Sequence, residues 1–180
     1  MTSRVNKVAY EPTLSPDGEW VVFESHILDV EENGIITKYR VDGSSEYIEL
    51  TGANDDCRQP NWSPANNKIL YQRLVNDEWA IWIMNIDGSD KFKVTNNVGN
   101  CTDASFSNDG QFIIYSSDYQ VEIANIYRID IDGSNPVQLT SFDGYDGATS
   151  VSPDGTKLAF ESINGEPDES SGTVIVLLEL

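Results

Sequence analysis

The residues best suited to hold a metal ion occupy matching positions before short turns that recur along the chain. Glu11, Gln59 and Asp103 each stand four residues before the Ser that opens such a turn. If the segments are inner strands of one assembly, their side chains converge on a common axis. Oxygen ligands without His or Cys suit Ca²⁺ or Mg²⁺ rather than zinc or copper. The simpler interpretation is a water-filled channel with a polar lining; the metal interpretation predicts a Ca²⁺ or Mg²⁺ ion that binds and stabilises the protein without being a required cofactor.

A second group of candidate residues is acidic and lies in the segments between the expected strands. These segments hold 14 of the 30 Asp and Glu residues and none of the 11 Lys and Arg residues. One acidic face would suit a protein, peptide or glycan ligand, and Trp79 could stack against it. The alternative is the solvated surface of an acidic protein. The candidate ligand-binding residues are Asp55, Asp56, Asp77, Glu78, Trp79, Asp118, Asp143 and Asp146.

Groups for catalysis are few. The chain has no Gly-x-Ser-x-Gly motif, and His26 is its only histidine, with no nucleophile assigned to it. Carboxylates are so abundant that a pair of them does not indicate glycoside hydrolysis. Cys57 and Cys101 stand at matching positions, and we expect free thiols there; a disulfide between them is the alternative. The sequence therefore predicts a protein that is not an enzyme.

A repeat of about 45 residues must position these groups. A Ser-x-Asp-Gly turn occurs at 15–18, 107–110 and 152–155, with a weaker copy at 63–66. Asp-Gly-Ser recurs at 42–44, 87–89 and 132–134, and a Thr at 51, 95 and 140 precedes the next turn Ser by 12 residues. Three markers in one register indicate four units, at approximately 8–51, 52–95, 96–140 and 141–180.

Each marker is typical of a turn between β-strands. Ser-Pro-Asp-Gly favours a tight reversal, and Asp-Gly favours a two-residue hairpin. Between the turns lie short apolar runs without a helical period, such as Trp20–Phe23 and Phe112–Tyr115. Four strands per unit predict an all-β fold, a β-propeller with four blade repeats in a single domain over residues 1–180.

The repeat resembles the TolB-type, or WD-repeat-like, β-propeller repeat. The resemblance rests on Trp62-Ser63-Pro64, the Ser-x-Asp-Gly turns, Ile126–Gly133 and Leu139-Thr140, and it covers roughly residues 8–180. It implies a location in the periplasm or cell envelope. Such repeats occur in periplasmic scaffold proteins, peptidase propeller domains and polysaccharide lyases, so the resemblance implies a fold more than a function. We expect a non-catalytic binding or scaffold module; the alternative is the propeller portion of a peptidase or lyase whose catalytic part lies elsewhere.

The last blade is incomplete, with three expected strands near 148–151, 157–161 and 173–179 and no final Asp-Gly turn. TolB-like propellers usually have six blades, whereas four repeats are present here. The register leaves only residues 1–3 to supply the missing strand. Because soluble proteins avoid bare apolar edges such as Val174–Leu178, we expect another copy of the chain to cover this edge in a homo-oligomer. The alternative is that the chain is part of a longer propeller.

Charge and hydropathy exclude other partner classes. The formal net charge of -19 opposes binding to nucleic acid or to an anionic membrane. Apolar runs such as Val174–Leu178 are too short to span a bilayer, and the residues after Met1 do not lead us to expect an export signal.

Overall fold

The computed structural model describes residues 7–27, 33–65, 67–96, 99–142, 144–163 and 172–180, and its regular structure there is entirely β. Within these ranges no helix offers the length and hydropathy that crossing a bilayer demands. The strands are β1 Lys7–Leu14, β2 Trp20–Ile27, β3 Ile35–Arg40, β4 Tyr47–Glu49, β5 Cys57–Trp62, β6 Lys68–Val75, β7 Glu78–Asn85, β8 Phe92–Lys93, β9 Cys101–Phe106, β10 Phe112–Ser117, β11 Asn125–Asp130, β12 Val137–Gln138, β13 Tyr145–Val151, β14 Lys157–Ile163 and β15 Thr173–Glu179.

The strands form four antiparallel meanders, one for each sequence repeat. Blade 1 is β1-β2-β3-β4, blade 2 is β5-β6-β7-β8 and blade 3 is β9-β10-β11-β12, whereas blade 4 has only β13-β14-β15. The all-β propeller architecture expected from the repeats is therefore confirmed, with the last sheet one strand short among the described residues.

The repeated Ser closes its turn through two hydrogen bonds. Ser107 Oγ donates to Asp109 Oδ1 (2.6 Å) and accepts from the Phe112 N–H (3.1 Å). The corresponding bonds form in blades 1 and 4, where Ser15 accepts from Trp20 and Ser152 accepts from Lys157. The Ser thus ties the end of the inner strand to the start of the second strand, which explains why this residue type recurs.

The repeated Thr has an equally local role. Thr51, Thr95 and Thr140 each accept a hydrogen bond from the backbone N–H of an Ile on the third strand of the same blade, at 2.9–3.0 Å. The hydroxyl satisfies a donor beyond the short outer strand. The Asp-Gly-Ser turns are closed by the Asp side chain, which accepts the Ser N–H two residues later, as Asp87 does from Ser89 at 2.9 Å.

Consecutive blades pack face to face. We call the side of a blade that contacts the next blade along the chain its forward face, and the side that contacts the preceding blade its rear face. Blades 1 and 2 meet through residues that include Val22, Ile36, Ile69 and Tyr71, and blades 2 and 3 through residues that include Leu70 and Ile113. A third cluster, with Ile114, Ile126, Leu158 and Phe160 at its centre, joins blades 3 and 4.

Two faces of the arc have no packed blade against them. Among the described residues, the sheets of blades 1 and 4 share no packed interface, although each is packed against its neighbour in sequence. Within the described part of the chain, the rear face of blade 1 and the forward face of blade 4 therefore carry no packed blade, and we call them the end faces.

Candidate functional site

The four inner strands share one irregularity at the position that the sequence singled out. Glu11, Gln59, Asp103 and Ala148 all have left-handed backbone, with φ between 48° and 51°. At each of them the pairing with the second strand shifts register, as in a β-bulge. The bulge re-aims the local backbone N–H and side chain, so equivalent groups of neighbouring blades can meet.

A hydrogen-bonded network crosses all four blades at these bulges. Glu24 Oε2 of blade 1 accepts the backbone N–H of Gln59 in blade 2 (2.7 Å). Gln59 and Asp103 exchange two bonds of 3.2 Å, from Gln59 Nε2 to Asp103 Oδ1 and from the Asp103 N–H to Gln59 Oε1. The Tyr145 hydroxyl of blade 4 donates to Asp103 Oδ2 (2.9 Å). At the bulges, neighbouring blades are thus connected by polar side chains, in addition to the apolar clusters between their sheets.

The network fixes the protonation of its terminal tyrosine. Burial, followed by the negative charge of Asp103, raises the pKa of Tyr145 above its ordinary value, so its hydroxyl remains a proton donor at neutral pH. At the other end, His26 Nε2 lies 3.1 Å from Glu24 Oε1, and its ring contacts Tyr10 edge to face. His26 is therefore engaged in the network that joins blades 1 and 2.

The proposed metal ligands are only partly brought together. Gln59 and Asp103 are in contact, but the oxygens of Asp103 accept from Gln59 and Tyr145, and Glu11 is exposed on the bulge of blade 1. No group of three or more His, Cys, Asp or Glu side chains able to hold a metal ion occurs in the part of the chain that the structure describes. The Ca²⁺ or Mg²⁺ site stays a prediction.

Two of the loop acids are paired with arginines of the adjoining strands, Arg58 on β5 and Arg73 on β6. Asp55 Oδ1 lies 2.6 Å from Arg73 Nη2. Asp56 accepts two bonds from Arg58, at 3.0 and 2.9 Å, and a third from the Gly34 N–H at 2.9 Å. These acids therefore fasten a loop to the sheet, and their charge is largely neutralised. For Asp56 and Arg58 the available signal was the Asp-x-Arg spacing, because residues two apart in extended backbone lie on one side of it.

Trp79 is covered by the same arginine. The Arg58 guanidinium lies 5.1 Å from the centre of the Trp79 ring, a cation–π arrangement. The hydrogen bonds to Asp56 raise the pKa of Arg58 above its already high value, so the cation is permanent. Stacking of a ligand on this face of the ring would have to displace Arg58.

The remaining loop acids have different surroundings. Asp77 is exposed in the two-residue hairpin between β6 and β7, where its φ is 65°, and Glu78 begins β7. Asp118 accepts from the backbone N–H and the side-chain amide of Asn100, at 2.6 and 3.0 Å. Asp143 lies outside the described residues.

Asp146 is not on the loop surface where the sequence placed it. Because β13 begins at Tyr145, Asp146 lies within the strand, opposite Ser162 on the rear face of blade 4, and is 0% exposed. Among the described residues, neither of its carboxylate oxygens has a hydrogen-bond partner. Cys57 and Cys101 occupy the equivalent positions of blades 2 and 3 as buried free thiols, and burial raises the pKa of Cys57 to about 12. The same repeat position is thus occupied by a cysteine in blades 2 and 3 and by an aspartate in blade 4.

A cavity of about 250 Å³ opens on the loop face between blades 3 and 4. Asp118 and Asn100 form one side of it, ordered by their mutual hydrogen bonds, and Tyr145 connects it to the network of the inner strands. Of its lining residues, the sequence analysis named only Asp118 as a site residue. The lining consists of Asn100, Thr102, Asp118, Glu122, Ile123, Ala124 and Tyr145.

Comparison with known proteins agrees with this architecture. Residues 43–170 match the family model described as the TolB beta propeller domain. The chain is 29% identical over 103 residues to the Tol-Pal system protein TolB of Francisella tularensis, which covers 57% of this chain and 22% of that protein. It is 27% identical over 112 residues to dipeptidyl-peptidase 5 of Porphyromonas endodontalis, covering 61% of this chain and 16% of that protein.

Solved structures show the same fold at lower identity. A putative TolB from Agrobacterium tumefaciens superimposes with a TM-score of 0.81 at 20% identity, over 96% of this chain and 62% of that one. An oligogalacturonate lyase in complex with manganese gives 0.73 at 16% identity, over 94% and 50%. The chain spans less than a quarter of the two curated relatives above. Because the family model matches most of the sequence, the chain belongs to the TolB β-propeller domain family.

Proposed function

We propose that this propeller is a non-catalytic binding module that holds a protein, peptide or glycan on its loop face, at the cavity between blades 3 and 4. The observation that carries the proposal is the cavity itself, whose wall residue Tyr145 is held in place by Asp103 at the axis of the arc. A rigid wall with ordered polar groups lowers the entropic cost of binding.

The chemistry of the cavity favours a ligand rich in hydrogen-bond donors. Asp118 and Glu122 present carboxylates, Asn100 and Thr102 add neutral polar groups, and the Tyr145 ring supplies an apolar surface. Ammonium groups or sugar hydroxyls would satisfy these acceptors, and the net charge of -19 would attract a basic segment from a distance. The acids that are paired with Arg58 and Arg73 contribute less, because their charge is already balanced.

Calorimetric titration with defined probes would test this proposal. We would use a Lys-rich peptide, a Glu-rich peptide of equal length and a neutral hexasaccharide. We expect one of the first and third probes to bind, with affinity reduced by Glu122→Gln and by Tyr145→Phe. Asp132→Asn, in the exposed turn between β11 and β12, is the matched control and should leave affinity unchanged. If all three probes fail, or if the cavity variants bind as well as the control, the cavity is not the site.

An alternative is that the chain is the propeller portion of an enzyme. The similarity to dipeptidyl-peptidase 5 and to an oligogalacturonate lyase favours this reading, although the chain covers 16% and 50% of those proteins. Assays with a dipeptidyl nitroanilide and with oligogalacturonate plus Mn²⁺ would separate the two. Turnover of either substrate that is lost on mutation of a cavity residue would contradict the non-catalytic proposal.

The proposal also covers where the protein is located in the cell and what it associates with. The similarity to a Tol-Pal system protein supports a position in the periplasm or cell envelope. In that location we propose that the ligand is another protein. We also propose that the chain associates with copies of itself through the incomplete blade 4. A Ca²⁺ or Mg²⁺ ion near Asp103 would add to stability and is not required for ligand binding.

A further inference from the structure

The interface between blades 3 and 4 encloses a carboxylate whose charge no described residue balances. Asp146 is 0% exposed, and among the described residues neither of its oxygens has a hydrogen-bond partner. The ion pairs of this part of the chain do not include it. A buried charge lowers stability unless it is paired or coordinates a metal ion. A positive partner at this position would therefore stabilise the fold.

The groups around Asp146 are neutral and offer oxygen atoms. Ser162 lies opposite Asp146 in the pairing of β13 with β14, and residues opposite each other in a ladder share a face of the sheet. Ser116 of blade 3 donates its hydroxyl to the Asp146 carbonyl (2.5 Å), and the Asp146 N–H donates to the Ala124 carbonyl (2.9 Å). Both serines are buried. The carboxylate therefore shares a buried polar region with uncharged oxygen atoms.

The equivalent positions of blades 2 and 3 show which further group belongs to this region. The thiols of Cys57 and Cys101 each interact with the hydroxyl of the repeated Thr of the preceding blade. Thr140 is the repeated Thr that precedes Asp146, and it is buried. Burial raises the pKa of both thiols, so blades 2 and 3 carry an uncharged group at this position. Blade 4 carries a carboxylate in the same surroundings, so a counter-charge is needed only there.

We propose that Asp146 binds a monovalent metal cation such as Na⁺ between blades 3 and 4, with the hydroxyl oxygens of Ser162 and Thr140 as further ligands. Hard cations take oxygen ligands, and this region offers a carboxylate and neutral oxygens. One carboxylate balances one positive charge. A Ca²⁺ or Mg²⁺ ion would leave a net positive charge in the interior, which is costly. The charge of the site therefore favours a monovalent ion.

The ion would join the two blades, because Asp146 belongs to blade 4 and Thr140 follows the outer strand of blade 3. An ion that binds only the folded chain raises its stability by mass action. Asp146 is not among the lining residues of the loop-face cavity. Failure of this proposal would therefore leave the binding proposal intact, and the reverse also holds.

Thermal unfolding in NaCl and in tetramethylammonium chloride of equal ionic strength tests the site. Both salts screen charge, but tetramethylammonium is too large for a closely packed interface. NaCl should raise the melting temperature further, by about 4 °C or more when the site is saturated. Asp146→Asn should remove the difference between the salts, whereas Asp132→Asn, in an exposed turn, should retain it. Circular dichroism checks that each variant is folded.

Two further variants keep the test independent of any one substitution. Ser162→Ala removes a proposed ligand and should raise the Na⁺ concentration of half-maximal effect about tenfold. Asp146→Cys should be more stable than the wild-type chain in tetramethylammonium chloride, because no carboxylate is buried, and NaCl should narrow this gap.

Sodium-23 NMR provides a readout that does not depend on stability. The wild-type chain should broaden the Na⁺ signal, and Asp146→Asn should broaden it less. Equal melting temperatures of the wild-type chain in the two salts would overturn the proposal, and so would a sodium effect that persists in Asp146→Asn. The Asp146→Asn background also allows the comparison of Ca²⁺ with Na⁺ at Asp103 to be made without this site.

Discussion

The interfaces between blades and the two end faces use the same positions of the repeat with opposite outcomes. At one position of the third strand, the isoleucines of blades 1 to 3 (Ile36, Ile81 and Ile126) are completely buried. Ile175 is the corresponding residue of blade 4 and is 67% exposed. Side-chain burial in a propeller is therefore set by the neighbouring blade rather than by the residue itself. Repeat folds of this kind gain much of their stability at the interfaces between repeats. The apolar side chains of an uncovered face stay in contact with water, so they contribute little to stability.

The largest expected contrast comes from truncating the same residue in the two settings. Ile81→Ala should lower the free energy of unfolding by about 2–5 kcal/mol, because it removes fully buried methyl groups and leaves a cavity. Ile175→Ala should change it by about 0.5 kcal/mol or less under conditions in which the chain is monomeric. Urea unfolding of both variants provides the measurement. Equal losses would show that Ile175 is already covered within one copy.

The bulge hydrogen bond offers a polar version of the same comparison. Glu24→Ala should cost about 1.5–3 kcal/mol, because the Gln59 N–H loses a charged acceptor between blades 1 and 2. Glu161→Ala, at the equivalent position of the uncovered face, should cost about 0.5 kcal/mol or less. Thermal and urea unfolding of the two variants at low protein concentration would measure the difference. If Glu161→Ala costs as much as Glu24→Ala, the equivalence is wrong.

The interface between blades 3 and 4 contains its own exception, the buried carboxylate of Asp146. Asp146→Cys introduces the residue that blades 2 and 3 carry at this position, and removes a carboxylate whose oxygens have no partner. We expect an increase in the free energy of unfolding of about 1–3 kcal/mol. The reciprocal Cys57→Asp should destabilise by at least as much. A loss of stability in Asp146→Cys would indicate that the carboxylate has an unrecognised favourable contact.

The smallest expected effect concerns divalent cations. Glu11 belongs to an end blade, whereas Gln59 and Asp103 are locked together inside the arc. Because carboxylates repel one another, Ca²⁺ should raise the melting temperature by more than NaCl of equal ionic strength, by mass action on the folded state. Asp103→Asn should remove the difference. If Na⁺ stabilises as well as Ca²⁺, the effect is charge screening and there is no site.

Short-range interactions explain why the fold could be predicted so fully. Ser107 bonds a backbone group five residues away and Thr95 one 14 residues away, so each marker acts within a single blade and leaves a local pattern. The contacts of the candidate site were harder to predict from the sequence. Asp103 contacts residues 44 and 42 positions away, Gln59 and Tyr145, and such pairing requires the positions of neighbouring blades.

The misplaced residues have related causes. Asp146 was assigned to a loop because the inner strand of the last blade was expected near 148–151, but β13 begins at Tyr145 and buries it. The sequence analysis found no Lys or Arg in the loop segments, yet the long side chains of Arg58 and Arg73 reach the acids of the loop face from the strands. Surface charge estimated from loop residues alone therefore exceeds the charge that the face presents.

Hydrogen exchange at low protein concentration tests the central claim most directly, namely that burial in this fold is set by the neighbouring blade. Peptides from β6 and β10, which have a packed blade on both faces, should exchange much more slowly than a peptide covering 173–180. Equal protection of these peptides would contradict the account.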